Sequence, residues 1–202
     1  KRGKVFESIE RYSVIRSLTA IERADVCLML IDGKEGVCEQ DSKIAGYIHD
    51  QGKAAVIIVN KWDIVEKDDK TIDRYKSEIR NKLSFMDYSP ILFISALTGQ
   101  RVNKVLELVN YVSNNHAMRI STGMLNDVIN EAVLMNQPAL SGGRRFKIYY
   151  ATQVSIKPPT FALFVNEPSL MHFSYQRYLE NQIRKAFSFE GTPLRFVLRK
   201  RE

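Results

Sequence analysis

The stretch AAVIIVNKWDIVEKD, residues 54–68, changes character abruptly in its middle. An apolar run rich in β-branched residues ends at Asn60-Lys61-Trp62-Asp63, which brings an amide, an ammonium and a carboxylate together. Such a run predicts a strand buried on both faces. Because ligands of open α/β sheets bind outside the carboxyl ends of the strands, the polar cluster predicts a binding site rather than a simple chain reversal.

Two further apolar runs have the same form, VCLMLI at residues 26–31 and ILFI at residues 91–94. Helical patterns surround these runs, at about residues 9–24, 39–51, 70–84 and 101–115. Strands that alternate with helices predict an α/β fold with a parallel sheet.

The pattern changes after residues 117–123, which predict a linker. The following segments predict a helix at 125–133 and a loop at 137–145. Strands are predicted at 146–156 and 161–166, separated by Pro158-Pro159. A second helix at 175–187 and a last strand at 194–200 complete the prediction. This order, αββαβ, predicts a small α+β domain.

The polar residues after the 54–59 run suit guanine. Guanine presents two N–H donors side by side, and the carboxylate of Asp63, which only accepts hydrogen bonds, can take both. Adenine offers an acceptor at the same place and would leave the carboxylate unpaired, which is how a buried polar site rejects a close analogue. The stem of Lys61 can lie along the base, and Asn60 can join neighbouring loops.

A second polar loop, Ser95-Ala96-Leu97-Thr98-Gly99, follows the strand at 91–94. Backbone N–H groups near Ala96 are candidate donors to guanine O6. The candidate base-binding residues are therefore Asn60, Lys61, Trp62, Asp63, Ser95, Ala96 and Leu97. The alternative interpretation is that NKWD is only a turn, since Asn and Asp are common turn formers.

Composition and charge narrow the class of protein. Hydrophobic residues make up 45% and charged residues 26%, and no apolar run approaches the roughly 20 residues that a membrane span needs. The first residues lack the apolar core of a secretory signal. The chain has only two cysteines, Cys27 and Cys38, without the spacing of a metal site, and this cysteine usage is typical of a protein from a reducing cytoplasm. Residues 119–202 carry +6 of the net charge of +7, which predicts either an anionic partner such as RNA or only a solvated basic surface.

NKxD followed by SAxxG resembles the fourth and fifth motifs of the TRAFAC-class GTPases. Longer segments resemble the bacterial Der (EngA) family over nearly the whole chain, among them ISTGMLNDVINEAV at 120–133 and HFSYQRYLENQIRKAFSFEGTPLRF at 172–196. The resemblance implies that residues 1–118 are the C-terminal part of a G domain, with a P-loop-NTPase-like parallel sheet that is incomplete at its N-terminus. It implies that residues 119–202 are a KH-like domain.

The same resemblance implies a function. Such a protein binds GTP as its cofactor, hydrolyses it with Mg²⁺, and acts in biogenesis of the large ribosomal subunit in the bacterial cytoplasm. The implied partners are the 50S subunit, through rRNA or ribosomal proteins, and an upstream G domain.

The phosphate and metal motifs of these GTPases are absent from this sequence. It contains no GxxxxGK[ST] and no DxxG, the segments that hold the phosphates and Mg²⁺. We therefore assign no catalytic residue and no metal ligand, and we expect that the chain alone does not hydrolyse GTP.

Other features leave alternatives open. GKEG, residues 33–36, has the GxxG form of a KH loop but follows a predicted strand, and residues 119–202 contain no GxxG. Tyr149, Tyr150, Phe161 and Phe164 either stack on bases or pack the core of a small sheet. Two rival functions are a non-catalytic RNA- or protein-binding module on a G-domain scaffold and a metabolic enzyme with a guanine-like substrate.

Overall fold

A computed structural model describes residues 16–141 and 143–201, which belong to two compact units. The chain passes from the first unit to the second between Ser113 and Asn114. None of the helices in this described part combines the length and the apolar character that crossing a membrane demands.

The first unit is built on a three-stranded parallel sheet with the order β1-β2-β3. The strands are β1 (Val26–Asp32), β2 (Ala54–Asn60) and β3 (Ile91–Phe93). Asp32 at the end of β1 pairs with Asn60 at the end of β2, so both residues lie at the same edge of the sheet. The predicted parallel α/β fold is confirmed.

Helices alternate with these strands, as the sequence predicts. They are α1 (residues 16–23), α2 (Glu39–Asp50), α3 (Thr71–Lys82) and α4 (Asn103–His116), with a short 3₁₀ turn at Ser84–Met86. The helix predicted at 9–24 is confirmed for residues 16–23, and its earlier residues lie outside the described part of the chain.

Burial differs between β1 and β2, and the prediction that both are buried on two faces is wrong for β1. Residues 54–59 of β2 are at most 2% exposed. In β1, Cys27, Met29 and Ile31 join the core, whereas Leu28 is 41% and Leu30 is 57% exposed. The reason is that helix α4 packs over the second face of β2 and β3, and of the β1 side chains on that face Val26 joins the hydrophobic cluster there whereas Leu28 and Leu30 do not.

The second unit has the predicted order αββαβ. Its main elements are α5 (Thr122–Met135), β6 (Ile148–Ser155), β7 (Thr160–Val165), α6 (Phe173–Phe187) and β8 (Arg195–Lys200). β7 lies in the middle of the sheet, antiparallel to β6 and parallel to β8. The helices contribute the buried side chains Leu125, Ile129, Leu179 and Ile183 to the core of this unit.

The segment predicted as a loop at 137–145 is partly a hairpin, so this prediction needs correction. Two short strands, β4 (Leu140–Ser141) and β5 (Arg144–Arg145), pair antiparallel across it. Two-residue strands are too short to give a periodic signal in the sequence, and the flanking glycines dominate the pattern.

Candidate functional site

The two predicted loops lie side by side at the carboxyl edge of the first unit's sheet. Val59 near the end of β2 pairs with Phe93 at the end of β3, so the residues that follow each strand emerge together. The loops are joined directly, because the N–H of Ala96 donates to Oδ1 of Asn60 at 3.0 Å. Asn60 therefore has the loop-joining contact that the sequence analysis expected.

Asp63 holds an acceptor that the protein itself does not use. Its Oδ1 is buried and accepts no hydrogen bond from any described residue. A buried polar atom left unpaired costs about 1–3 kcal/mol, so such atoms in native proteins call for a partner. The described residues contain one other case, Ser89 Oγ, which precedes the amino end of β3 and is a neutral hydroxyl. Of these two buried atoms without a hydrogen bond, Asp63 Oδ1 is the one that lies at the carboxyl edge of the sheet.

Lys61 makes an ion pair that the sequence analysis missed. Its Nζ lies 2.5 Å from Oδ2 of Asp32, and the Lys61 side chain remains 57% exposed. The hydrogen bond from Lys61 lowers the pKa of Asp32, and the same bond raises the pKa of Lys61. The N–H of Lys34 donates to the other carboxylate oxygen of Asp32 at 2.8 Å. Asp32 thus fixes the ammonium of Lys61 beside the loop.

Gly33 brings the chain after β1 into contact with the chain after β2. Its N–H donates to the carbonyl oxygen of Asn60 at 2.8 Å. A Cβ atom at this position would lie 2.7 Å from the same oxygen, a distance that carbon and oxygen do not reach without displacement. The hydroxyl of Tyr75 donates to the carbonyl oxygen of Gly33 at 2.7 Å and ties this segment to α3. GKEG is therefore part of the sheet edge, in a loop between a strand and a helix.

The side chain of Trp62, which stands among the candidate base-binding residues, is buried. It is only 2% exposed and belongs to the hydrophobic core. The ring lies 4.4 Å from the ring of Phe93 and 5.1 Å from the ring of Tyr75. Lys61, with a φ of 59°, turns the backbone immediately before it. Trp62 therefore anchors the loop from the core, and its side chain is not exposed at the surface of the loop.

The second loop is held by its own hydrogen bonds. Ser95 is fully buried, its N–H donates to the carbonyl oxygen of Gln100 at 3.1 Å, and its Oγ accepts from the N–H of Thr98 at 3.2 Å. Leu97 at the tip is 88% exposed. Since Asn60 occupies the N–H of Ala96, the N–H of Leu97 is the next backbone donor along the loop.

The described residues at this edge offer groups that can bind a flat polar ring. They offer a carboxylate oxygen, backbone N–H groups and a lysine stem, which recognise and orient a base. Among the described residues, no group of three His, Cys, Asp or Glu side chains is placed to hold a metal ion.

Comparisons with known proteins match both units. Residues 12–115 match the family described as the elongation factor Tu GTP binding domain. Residues 119–199 match the family described as KH-domain-like of EngA bacterial GTPase enzymes, C-terminal.

Curated relatives align with the whole chain. The GTPase Der of Acetivibrio thermocellus is 60% identical over 202 residues, and that of Alkaliphilus oremlandii is 59% identical over 201 residues. In both cases the alignment covers 100% of this chain and 46% of the relative, so the chain spans about half the length of these proteins. Among solved structures, Aquifex aeolicus Era bound to GDP·AlF4⁻ matches with a TM-score of 0.42 and 17% identity, over 91% of this chain and 67% of that one.

Proposed function

Because the chain belongs to the Der (EngA) family of GTPases, we propose that it is the guanine-recognition part of a GTP-hydrolysing domain, followed by a KH-like domain. Residues 1–118 form the first part and residues 119–202 the second. The whole protein hydrolyses GTP in the bacterial cytoplasm and acts in biogenesis of the large ribosomal subunit. Its partners are the 50S particle, through rRNA or ribosomal proteins, and a G domain that precedes this chain in the sequence.

The observation that carries the nucleotide proposal is the unpaired buried Oδ1 of Asp63. Guanine supplies N1–H and N2–H₂ on one edge, and a carboxylate accepts both. Guanine gains binding energy by donating to this buried acceptor, whereas adenine has no donor at the same positions and leaves it unpaired. This difference in binding energy is how the site selects guanine over adenine.

The neighbouring residues have distinct tasks in this proposal. Asn60 holds the second loop through the N–H of Ala96, and Ser95 keeps that loop rigid. The N–H of Leu97 is the backbone donor for guanine O6 in this loop, because the N–H of Ala96 already donates to Asn60. Lys61, fixed by Asp32, lays its stem along the base. The phosphates and Mg²⁺ are held by residues outside this chain, and they supply the electrostatic stabilisation of phosphoryl transfer.

The experiment that tests this proposal is the Asp63→Asn variant of the full-length protein. Xanthine replaces the N2 amine of guanine with a carbonyl, so its edge offers one donor and one acceptor. An Asn amide matches that edge and mismatches guanine. Each such hydrogen bond is worth about 1–3 kcal/mol, and we expect the preference for XDP over GDP to change more than about a hundredfold.

The readout is the gain of XDP binding, which stays visible even where another nucleotide site of the full-length protein keeps binding GDP. The matched control is Asp69→Asn, which makes the same change at an exposed position in the loop before α3. A variant at Asp63 that gains no XDP affinity would remove the basis for base recognition. It would favour the rival interpretation, a non-catalytic binding module on a G-domain scaffold.

A further inference from the structure

One face of the second unit's sheet is covered by helices and the other is open. Directly paired residues on neighbouring strands share a face, and Tyr150 pairs with Phe164, which pairs with Arg199. The next row on this face is Thr152, Ala162 and Val197, of which Ala162 is buried beneath its neighbours and Val197 is 41% exposed. We call the surface formed by these two rows the open face.

The structure separates the four aromatic residues that the sequence analysis left with two interpretations. Phe161 is fully buried and packs against the helices in the core. Tyr149 is 45% exposed, Tyr150 is 42% exposed, and Phe164 lies on the open face beside Tyr150. Packing in the core therefore accounts for Phe161 but not for Tyr149, Tyr150 or Phe164.

The exposed rings are arranged as a stack across the strands. The rings of Tyr150 and Phe164 are 4.1 Å apart and inclined by only 9°. The guanidinium of Arg199 continues the row, with Cζ 5.9 Å from the centre of the Phe164 ring. At the neighbouring position, Cζ of Arg201 lies 5.0 Å from the centre of the Tyr149 ring. Phe164 covers one face of Tyr150, which lies on the edge strand β6, so the other face is where a further flat ring can extend the stack.

The charge of this surface has one sign. The strands β6, β7 and β8 contain three basic residues and no acidic residue. The sequence from residue 132 to residue 166 contains no Asp or Glu at all, and neither does the segment from 194 to 201. Among the described residues, Glu167 pairs with Lys200 at 3.0 Å, while the guanidinium groups of Arg199 and Arg201 lie against aromatic rings.

One of the two edge strands of the sheet, β6, is already occupied at its centre. The side chain of Asn126 donates to the carbonyl oxygen of Ala151 in β6 and accepts from its N–H, both at 2.8 Å. These are the backbone groups that an added strand would need at that residue. Strand β6, which carries Tyr150, therefore disfavours a partner that binds by strand addition at Ala151, whereas the stacked rings lie on the face of the sheet.

We propose that the open face binds single-stranded RNA, with a base stacked on Tyr150 and phosphates contacted by Arg199 and Arg201. This inference rests on the proposed function, since it names the surface of the KH-like domain that meets rRNA. Aromatic rings that stack bases beside basic side chains are the means by which sheet surfaces bind single strands without a GxxG loop.

The test measures binding of the chain to a fluorescein-labelled 12-nucleotide oligouridylate by anisotropy at several salt concentrations. Tyr150→Leu keeps an apolar side chain and removes the ring, and we expect affinity to fall by about 5- to 150-fold with an unchanged salt slope. Tyr150→Phe should bind like the parent. Arg199→Gln should reduce the slope of log K against log salt by about 0.7, the value for one phosphate of a single strand.

Matched controls are Tyr111→Leu and Arg177→Gln. Tyr111 is also 42% exposed but lies on α4, and Arg177 is exposed on α6, so neither variant should change RNA binding beyond the loss of a distant charge. If Arg199→Gln weakens binding and Tyr150→Leu does not, the contact is electrostatic only and the stacking proposal is wrong. If the chain binds no RNA, or a protein partner occupies this face instead, the proposal is also overturned.

A second measurement needs no variant and covers the case in which Tyr150→Leu fails to fold. RNA containing 4-thiouridine is crosslinked to the unaltered chain by long-wave ultraviolet light, and the attached peptides are identified by mass spectrometry. We expect crosslinks at Tyr149, Tyr150 or Phe164. Crosslinks confined to α5 and α6 would contradict the proposal, whereas the XDP test of Asp63→Asn remains independent of either result.

Discussion

Replacing Gly33 by alanine should destabilise the first unit by forcing apart the ends of two adjacent strands. The added Cβ would lie 2.7 Å from the carbonyl oxygen of Asn60 and 3.2 Å from Cγ2 of Val65. The closer atom belongs to the backbone, so no side-chain rotation relieves the contact. Gly33 does not have a positive φ, and the cost is therefore steric rather than conformational.

The magnitude follows from two contributions at the same place. Over-packing at a tightly packed position costs about 1–3 kcal/mol. Movement of the Asn60 carbonyl also weakens its hydrogen bond from the N–H of Gly33, now 2.8 Å long, which contributes about 0.5–1.5 kcal/mol. With a urea dependence of about 2 kcal/mol per M, a loss of about 2–3 kcal/mol lowers the unfolding midpoint by about 1–1.5 M.

The assay is urea unfolding followed by the fluorescence of Trp62. Trp62 is the only tryptophan of the chain and lies in the core of the first unit, so its signal reports that unit. Gly46→Ala is the matched control, because Gly46 lies within α2 with nothing within 4 Å of an added Cβ. Alanine favours a helix over glycine by up to about 1 kcal/mol, so this variant should raise the midpoint. Gly123→Ala lies in α5, where an added Cβ also meets nothing within 4 Å, and should leave the Trp62 transition unchanged. A midpoint for Gly33→Ala at or above the parent value would refute the reasoning.

Three further outcomes are expected. The chain alone should release no phosphate from GTP above a blank without protein, because it lacks the phosphate and Mg²⁺ motifs; reproducible release from fresh preparations would contradict this. Reversing Arg199, Lys200 and Arg201 to Glu in the full-length protein should weaken its pelleting with the large ribosomal subunit and flatten the salt dependence of that pelleting. Pelleting that changes neither with salt nor with these reversals would contradict binding through the basic surface. Asp32 should titrate below its ordinary pKa of 3.8 and Lys61 above its ordinary pKa of 10.5, so the ion pair is lost as pH falls through the pKa of Asp32 or rises through the pKa of Lys61. Asp32→Asn should return the pKa of Lys61, measured by NMR, toward 10.5. A Lys61 pKa that is already unshifted in the parent would show that the pair does not form in solution.

The parallel sheet of the first unit could be predicted from the sequence, but the burial of its strands could not. β1 and β2 are equally apolar in sequence, and a continuous apolar run is the signal for burial on both faces. Burial depends on what packs over each face, and the cluster to which α4 contributes includes Val26 of β1 but neither Leu28 nor Leu30. The exposed side chains of Leu28 and Leu30 therefore follow from the tertiary arrangement, which the run itself does not encode.

The candidate site shows the same division between local and tertiary information. Asn60 and Asp63 could be found because they directly follow a recognisable strand. Asp32 could not, since it lies 29 residues before Lys61 and reaches it only through the pairing of β1 with β2. Trp62 belongs to the candidate set because it stands inside the motif, but the burial of its side chain depends on the backbone turn at Lys61, which the motif does not reveal.

The unpaired oxygen of Asp63 explains why stability and recognition oppose each other at this edge. In the ligand-free chain, a buried acceptor without a donor lowers stability by about 1–3 kcal/mol. A structure selected for stability alone would fill that position with a residue that needs no partner. The surrounding contacts resist relaxation, because Trp62 is locked in the core on one side of Asp63 and Gly33 is packed against Asn60 nearby. No described residue supplies a donor to this oxygen, and in the proposed function a base with two adjacent N–H groups supplies it.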